Sequence, residues 1–379
     1  MEIEQITFIN NSEENKMEQK ILLTPGPLNT SRTVKEAMLY DLGTRDREYQ
    51  DMVETLREKL LDLAHVSKEE YSLVFLQGSG TYGVESVLEG SVGKQEKVLI
   101  LSNGAYGERM EQICKAHGIP YQIQSFSKLK KLPVNELEPY IAQEDITHVA
   151  FIHCETTAGV LNDIEEIMEL IHCHKKISIV DAMSSFGSMD LNLKSLGIDF
   201  LITSSNKCLH GVPGVALIYG KKEAFERCEG KSDTLALNLY EQWKDMEQSH
   251  GAFRFTSPTH VLLALNQAVK ELEESGGITA RHEHYILLQK MIRDAMEKLG
   301  FDAPVSKEDQ APVITTYFIP DWMDFSHFYE WMKERGILLY SGKLPGYQAF
   351  RIGNIGDLTV EDMERVRTEI CNYVKEYKR

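Results

Sequence analysis

The first 220 residues alternate between short apolar runs and longer stretches in which apolar residues recur at helical spacing. Six apolar runs have the length and composition of strands: residues 71–76, 97–101, 148–152, 177–181, 200–203 and 215–219. Three of the stretches between them have the spacing of amphipathic helices: residues 81–89, 106–116 and 164–174. Apolar strands separated by helices are typical of a mostly parallel sheet covered on both faces. The pattern therefore predicts an α/β fold.

The pattern changes after Pro258. Two long amphipathic helices are predicted at residues 259–274 and 281–299, separated by Gly276-Gly277. Shorter elements follow, with strands at 313–318, 336–340 and 349–352 and helices at 325–335 and 358–377. This part reads as a smaller α+β domain, so we predict a large domain over residues 21–265 and a C-terminal domain over 266–379. The polar residues 1–20 predict a flexible leader.

The charge and the cysteine content argue against nucleic-acid-binding, membrane-bound and disulfide-bonded proteins. The 379 residues include 41 lysines and arginines and 58 aspartates and glutamates, which gives a formal net charge of −17. A chain this acidic is a poor partner for nucleic acid or an anionic membrane, and no apolar run approaches the roughly 18 residues that span a bilayer. The six cysteines are scattered without a C-x-x-C pair. We therefore expect reduced thiols in a cytoplasmic protein.

No metal site is expected. His172 and His174 stand two positions apart on a predicted helix, where their side chains point in different directions.

Two charged residues follow or end neighbouring strands. Lys207 lies just past strand 200–203, at the sheet edge where α/β proteins bind ligands. A desolvated lysine there can form a covalent bond with a carbonyl group, although a plain surface lysine would leave the same pattern. Asp181 ends strand 177–181. A buried carboxylate needs a cation such as a protonated pyridine ring, but this position also suits a helix cap or a ribose-binding aspartate.

Three further strand ends carry polar groups. Ser79, Gly80 and Thr81 lie between a strand and a helix, which is the setting of a phosphate-binding loop. Tyr106, at the start of the next predicted helix, could stack on a planar ring or simply pack in the core. Thr156 follows strand 148–152. The carboxyl ends of parallel strands meet at one edge, so these groups predict a single site.

One arginine stands out in the C-terminal part. Arg351 lies within the apolar strand 349–352. A guanidinium group in that setting can grip a carboxylate or phosphonate with two hydrogen bonds, or it can form a structural ion pair with an aspartate.

Taken together, these segments resemble the class V aminotransferases among the fold-type I pyridoxal phosphate enzymes, and most of all the 2-aminoethylphosphonate–pyruvate transaminase family. The resemblance extends from about Leu22 to the C-terminus. It is carried by LLTPGPLNTSRTVKEAML (22–39), LQGSGTYGVESVL (76–88), SNGAYGERM (102–110), HCETTAGVLN (153–162), IVDAMSSFG (179–187), SNKCLHGVPG (205–214), FRFTSPTH (253–260) and FRIGNIG (350–356).

The resemblance implies a fold, a cofactor and an assembly. The fold is a seven-stranded, mostly parallel sheet with a smaller C-terminal domain, in a homodimer whose active sites lie at the subunit interface. Lys207 would hold pyridoxal 5'-phosphate covalently, with Asp181 paired to the pyridinium nitrogen. The other implied cofactor-binding residues are Ser79, Gly80 and Thr81 on the phosphate, Thr256 on that phosphate from the neighbouring subunit, Tyr106 stacked on the ring, and Thr156 and Asn206 beside the ring.

The resemblance also implies an activity. Arg351 would bind the substrate anion as an amino group moves from 2-aminoethylphosphonate to pyruvate. Arg45, in a segment that departs from the family pattern, would add a second cation for the phosphonate or belong to a general class V pattern. Alanine–glyoxylate or serine–pyruvate transfer is the alternative within the same chemistry. A nucleotide-binding oxidoreductase or a non-catalytic ligand-binding protein is the alternative outside it, disfavoured because strand 97–101 ends in Ser-Asn-Gly and not in an acidic residue.

Overall fold

The computed structural model describes residues 19–342, 344 and 346–378, so the predicted leader lies outside the described residues apart from its last two. The strands are β1 Ile21–Leu22, β2 Tyr71–Gln77, β3 Val98–Ser102, β4 Tyr121–Ser125, β5 His148–Ile152, β6 Cys154–Glu155, β7 Val160–Leu161, β8 Ile177–Asp181, β9 Phe200–Ser204, β10 Val215–Lys221, β11 Ile314–Phe318, β12 Ile337–Leu338, β13 Tyr340–Ser341 and β14 Ala349–Gly353. The helices are α1 Arg32–Ala37, α2 Arg47–Leu63, α3 Gly80–Ser91, α4 Ala105–His117, α5 Glu138–Ile141, α6 Ile164–Cys173, α7 Leu193–Leu196, α8 Lys222–Glu226, α9 Leu239–Gln248, α10 Thr259–Glu274, α11 Gly277–Leu299, α12 Phe325–Glu334 and α13 Val360–Tyr377, with a 3₁₀ turn at Val134–Glu136.

The central sheet has seven strands in the order β2-β10-β9-β8-β5-β3-β4. All pairs are parallel except those of β10, which runs antiparallel to both β2 and β9. This confirms the predicted mostly parallel α/β sheet, and all six predicted strands belong to it. The seventh strand, β4, escaped prediction because it is a half-buried edge strand whose sequence, YQIQS, mixes polar and apolar residues.

The strand register brings the predicted site residues to one edge of the sheet. Asp181 at the end of β8 is level with Ile152 on β5 and with Ile202 on β9. The segments that continue past those two neighbours carry Thr156 and Lys207. Helices α3 and α4 begin within a few residues of the ends of β2 and β3, so their N-termini lie at the same edge.

Apolar side chains form two large cores. The first surrounds the central sheet and extends to Leu272 of α10 and Ile278 of α11. The second is built mainly from residues 288–374, and it also takes in Ile21 and Leu23. Those two residues join it because β1 pairs in parallel with β12. The predicted division of the chain at residue 265 stays a prediction.

The predicted strand 336–340 is wrong as a single element. The chain changes sheets at Leu339: β12 pairs with β1, whereas β13 joins β14 and β11 in a three-stranded antiparallel sheet. An apolar run shows that a segment is buried and extended, but it does not show which partner each half takes. Within the described residues, none of the helices combines the length and apolar character that a membrane crossing needs.

Candidate active site

A cavity of about 200 Å³ opens at the carboxyl edge of the sheet. It is lined by Ser79, Gly80, Thr81, Val84, Tyr106, Arg109, Met110, Asp181, Met183, Ser204, Asn206 and Lys207. Seven of these lining residues are predicted site residues from four separate segments of the chain, and the structure brings them together.

Lys207 lies in the turn between β9 and β10. The turn is held by backbone bonds from Ser205 N–H to the Val215 carbonyl and from Gly211 N–H to the Ser205 carbonyl. Its amine donates a hydrogen bond to the carbonyl of Pro25. Burial lowers the pKa of the Lys207 amine, and the nearby carboxyl of Asp181 opposes that shift. The cavity therefore holds a desolvated amine, which is the form of lysine that attacks carbonyl groups.

Asp181 is a buried carboxyl group without a bonded cation. Its side chain is 5 % exposed and accepts one hydrogen bond, from the backbone N–H of Met183 at 2.9 Å. The pKa of Asp181 is raised to about 7, chiefly by burial; Glu155 also raises it, whereas the hydrogen bond from Met183 and the charges of Arg109 and Lys207 lower it. No lysine, arginine or histidine of the described chain forms an ion pair with it. A cationic group entering the cavity would supply the missing partner.

The start of α3 forms one wall of the cavity. Ser79 occupies the N-cap position, yet its hydroxyl forms no capping bond and stays free for a ligand. The first N–H groups of a helix have no partner within the helix, and they attract anions. A Cβ atom at Gly80 would lie 2.2 Å from the sulfur of Met183, so a larger residue there would displace the Met183 side chain, which also lines the cavity. Thr81 adds a hydroxyl, which accepts a hydrogen bond from Nη1 of Arg109 at 3.3 Å.

Glu155 holds the start of α4, on which Tyr106 stands. This fully buried carboxylate accepts hydrogen bonds from the N–H of Tyr106 at 3.1 Å and from the N–H and hydroxyl of Thr157 at 2.9 and 2.5 Å. Burial raises the pKa of Glu155, and these hydrogen bonds act against that shift. Gly104 permits the contact, because a Cβ atom there would lie 2.2 Å from the carboxyl carbon.

Sequence reasoning missed the parts played by Glu155 and Arg109. Arg109 has its guanidinium carbon 4.9 Å from the ring centre of Tyr106. The available signal was spacing: Arg109 stands three positions after Tyr106, and such residues share a helix face. No comparable sequence signal marked Glu155 as the group that holds α4.

Arg351 and Thr156 meet beside this cavity. Arg351, 6 % exposed, donates from Nη1 to the Thr156 carbonyl at 3.1 Å and from Nη2 to the Ser341 carbonyl at 3.3 Å. Its Nε is buried without a partner. Burial lowers the pKa of the guanidinium, whereas Tyr106 and Glu155 raise it. In the described residues no carboxylate pairs with Arg351, so the structural ion pair considered from the sequence is not formed.

Thr256 and Arg45 do not reach the cavity of this chain. Both side chains are exposed. Thr256 stands between Phe255, which is 53 % exposed, and Ser257, whose hydroxyl bonds to Tyr49. One chain alone therefore leaves these two predicted residues on its surface.

Comparison with known proteins assigns the family. The chain matches the family described as Aminotransferase class-V over residues 33–376. The chain belongs to the class V aminotransferases. This membership disfavours the oxidoreductase and the non-catalytic alternatives. The cofactor of the family is pyridoxal phosphate, and the free amine, the unpaired carboxyl and the open start of α3 fit its aldehyde, its protonated ring and its phosphate.

Several relatives of this class V aminotransferase carry one name, "2-aminoethylphosphonate--pyruvate transaminase". The protein of that name from Bacteroides fragilis (strain YCH46) is 46 % identical over 353 residues, which cover 92 % of this chain and 98 % of the relative. The one from Phocaeicola vulgatus is 46 % identical over 362 residues, 95 % of this chain and 100 % of the relative. The one from Lysinibacillus sphaericus is 45 % identical over 355 residues, 93 % and 97 %.

Solved structures share the fold of this aminotransferase. A ureidoglycine–glyoxylate aminotransferase from Bacillus subtilis superposes with a TM-score of 0.89 at 21 % identity, covering 97 % of this chain and 95 % of that one. A pyridoxamine–pyruvate aminotransferase from Mesorhizobium loti gives 0.87 at 22 % identity, with coverage of 96 % and 94 %. At this identity the likeness concerns the fold alone.

Proposed function

We propose that this chain is a pyridoxal phosphate-dependent transaminase that moves the amino group of 2-aminoethylphosphonate to pyruvate, giving phosphonoacetaldehyde and L-alanine. One observation supports the chemistry: the desolvated amine of Lys207 and the unpaired, buried carboxyl group of Asp181 line the same cavity. The relatives named for this reaction, at about 45 % identity over nearly the whole chain, support the choice of substrates.

The catalytic roles follow from the positions of the side chains. When bound, pyridoxal phosphate supplies an aldehyde that condenses with amines and a protonated ring that withdraws electrons. Lys207 would hold the cofactor through its aldehyde carbon. Nζ of Lys207 would also serve as the base that removes a proton from the amine-bearing carbon of the substrate, and burial lowers the pKa of this amine. Asp181 keeps the ring nitrogen protonated by pairing with it.

The remaining cofactor contacts come from four segments of the chain. Ser79, Gly80 and Thr81 bind the phosphate at the start of α3. Tyr106 would stack on the ring, and Glu155 holds the backbone of Tyr106 by a hydrogen bond. Thr156 and Asn206 supply polar groups beside the ring.

Arg351 binds the anionic end of both substrates. Its guanidinium is already oriented by two carbonyl groups, and its unpartnered Nε marks an unused donor. A planar fork of N–H groups can grip a carboxylate or a phosphonate. Since the whole chain carries a net charge of −17, a local cation of this kind is needed to hold an anion.

We also propose a homodimer. Large apolar side chains are exposed at Leu39, Tyr40, Tyr82, Leu235 and Phe255. Asp41 bonds to His260 at 3.1 Å and Arg254 bonds to the Leu235 carbonyl at 2.9 Å, so at least four of these side chains lie on neighbouring segments. A second copy covering them would bring its Thr256, and with it Arg45, to the active site.

The predicted domains and location complete the proposal. Residues 21–265 form the large cofactor-binding domain and residues 266–379 the small domain. The enzyme works in the cytoplasm, and its six cysteines, all free in the described chain, agree with a reducing compartment.

A half-reaction titration tests the proposed activity. Purified yellow protein is mixed with 2-aminoethylphosphonate, L-alanine or L-serine without any keto acid, and the absorbance of the lysine-bound cofactor is followed. We expect 2-aminoethylphosphonate and L-alanine to bleach it, the phosphonate at the lowest concentration. Bleaching by L-alanine or L-serine alone would replace the phosphonate assignment by alanine–glyoxylate or serine–pyruvate transfer. Lys207→Ala is the control, since it cannot retain the cofactor after borohydride reduction.

A further inference from the structure

Arg109 is a cation of the active-site cavity that has no role in the proposed mechanism. Its guanidinium lines the cavity, donates to the Thr81 hydroxyl at 3.3 Å and lies over the ring of Tyr106 with 4.9 Å between the guanidinium carbon and the ring centre. The chain contains 58 aspartates and glutamates, yet none in the described residues forms an ion pair with it. An arginine without a carboxylate in so acidic a protein is available for another anion.

The small number of positive charges near the start of α3 indicates that this anion is the cofactor phosphate. Lys207 and Arg109 are the only cations among the cavity-lining residues that the structure describes. Lys207 would bond covalently to the cofactor aldehyde, so its nitrogen would not contact the phosphate. The other proposed phosphate contacts, from Ser79, Gly80 and Thr81, are neutral hydroxyl and N–H groups. A phosphate monoester carries a charge of about −1.5 to −2 at neutral pH, and a site made of these groups alone sets no full positive charge against it.

The geometry places the guanidinium where it would balance that charge. A guanidinium has five N–H donors, and Thr81 takes one of them. The guanidinium carbon lies 4.9 Å from the Tyr106 ring centre, and its Nη1 is directed at Thr81 in the first turn of α3. We propose that Arg109 is a ligand of the cofactor phosphate, acting beside Thr81. This inference rests on the proposed function, because it assumes that the cofactor phosphate binds at the start of α3.

The test compares two ligands that differ only in the phosphate group. Pyridoxal phosphate and pyridoxal form the same bond with Lys207, so the ratio of their dissociation constants isolates the phosphate contribution. Both are titrated into cofactor-free wild-type protein, Arg109→Gln and Arg109→Lys. Lys115→Gln is the matched control, because Lys115 lies on the same helix but at its far end, paired with Glu111 at 2.8 Å.

For Arg109→Gln we expect about 10- to 100-fold weaker binding of pyridoxal phosphate, the usual loss for a charge-assisted hydrogen bond, and unchanged binding of pyridoxal. Arg109→Lys should restore part of the affinity, since it keeps the charge without the fork. Inorganic phosphate should strengthen pyridoxal binding to the wild type and to Lys115→Gln, but much less to Arg109→Gln.

Three outcomes would overturn the inference. The first is equal weakening of both ligands, which would mean that Arg109 only supports the fold of the cavity. The second is unchanged binding of pyridoxal phosphate with a raised KM for 2-aminoethylphosphonate, which would assign Arg109 to the substrate. The third is a changed oligomeric state with an unchanged ratio of the two dissociation constants, which would mean that Arg109 supports assembly and does not bind the phosphate. A wild-type protein that binds pyridoxal phosphate and transaminates keeps the proposed function intact in all three cases.

Discussion

The amine of Lys207 occupies the space that a side chain at position 26 would need. A Cβ atom on Gly26 would lie 2.6 Å from Nζ of Lys207, and the same segment supplies the Pro25 carbonyl that accepts a hydrogen bond from this amine. Residues 25 and 26 thus set the position of a lysine that follows the sixth strand of the central sheet in chain order. The backbone at Gly26 has φ +130°, a region that only glycine enters easily.

Gly26→Ala should therefore inactivate the enzyme while leaving its fold intact. We expect kcat to fall by about 100-fold, since displacement of a reacting group by an ångström can cost that much. Gly118→Ala is the matched control: its φ is also positive, at +65°, but no atom lies within 4 Å of the added Cβ. Both variants are compared by circular dichroism and by steady-state kinetics. Equal kinetic losses in the two variants would show that backbone strain, and not crowding of Lys207, is responsible.

Asp181→Asn should stabilise the cofactor-free protein and inactivate the holoenzyme. The pKa of Asp181 is about 7 in the fold against an ordinary 3.8. Between these values the unfolded chain has released a proton that the folded chain keeps, so the contribution of Asp181 to the free energy of unfolding falls as pH rises from about 4 to about 7. The variant lacks this loss, so it should be more stable than the wild type at pH 8 and similar to it at pH 4.

Urea denaturation of both cofactor-free proteins at several pH values measures the difference. Asp233→Asn, on the exposed surface beside Lys94, controls for the removal of one negative charge. Transaminase activity of Asp181→Asn should fall by at least about 100-fold, as expected when a charge that stabilises the transition state is lost. A stability difference that does not depend on pH would contradict the account.

Glu155→Gln should loosen the helix that carries Tyr106. Three donors converge on the carboxylate, and an amide would direct its own NH₂ group at one of them. We expect a loss of about 1–3 kcal/mol in the free energy of unfolding. The circular dichroism of the bound cofactor should weaken as well, because it reports the environment of the ring. Gln112→Glu, which changes an exposed residue of the same helix, should alter neither quantity.

Arg351→Lys should raise KM for both substrates. A lysine keeps the charge but loses the fork that holds a planar or tetrahedral anion, and we expect about a 10- to 100-fold increase in each KM. Arg367→Gln, an exposed arginine of α13, is the control. An effect on pyruvate alone would show that the phosphonate binds elsewhere, with Arg45 as the next candidate.

The proposed exchange of Thr256 between subunits can be tested by mixing two inactive proteins. Lys207→Ala lacks the covalent anchor, and Thr256→Glu places a negative charge where the phosphate should bind. If Thr256 acts across the interface, a hybrid dimer has one site with an intact lysine and an intact threonine, and mixing restores up to a quarter of the activity. If both residues serve the same subunit, mixing restores none. Sedimentation velocity of each variant checks that dimers still form.

The central sheet and most of the cavity were predictable, because short stretches of sequence show where a buried strand ends and which polar residues follow it. Asp181 and Lys207 follow long apolar runs, and the glycines around Ser79 and Thr81 mark a turn that leads into a helix. The direction of β10 was not predictable, because an antiparallel strand buried between two others has the same apolar sequence as a parallel one. Helix α2 also went unpredicted.

The remaining contacts depend on long-range packing. Nothing near position 26 in the sequence shows that Lys207 will fill the space beside it, and nothing near Thr156 shows that its carbonyl will orient Arg351. Glu155 stood in the motif that suggested Thr156, but its contact with the N–H of Tyr106 joins segments from two different strand ends. Such relationships appear only once the register of the sheet is known.

The pairing of β1 with β12 has a consequence for the order of assembly. On the ribosome, Ile337 is added 316 residues after Ile21, yet these two residues are partners in one ladder. The segment that covers Lys207 follows β1 directly, so its final position waits for the synthesis of β12. A nascent chain can complete the central sheet with its lysine uncovered, and capture of the cofactor in its working geometry is thereby reserved for chains that already contain β12.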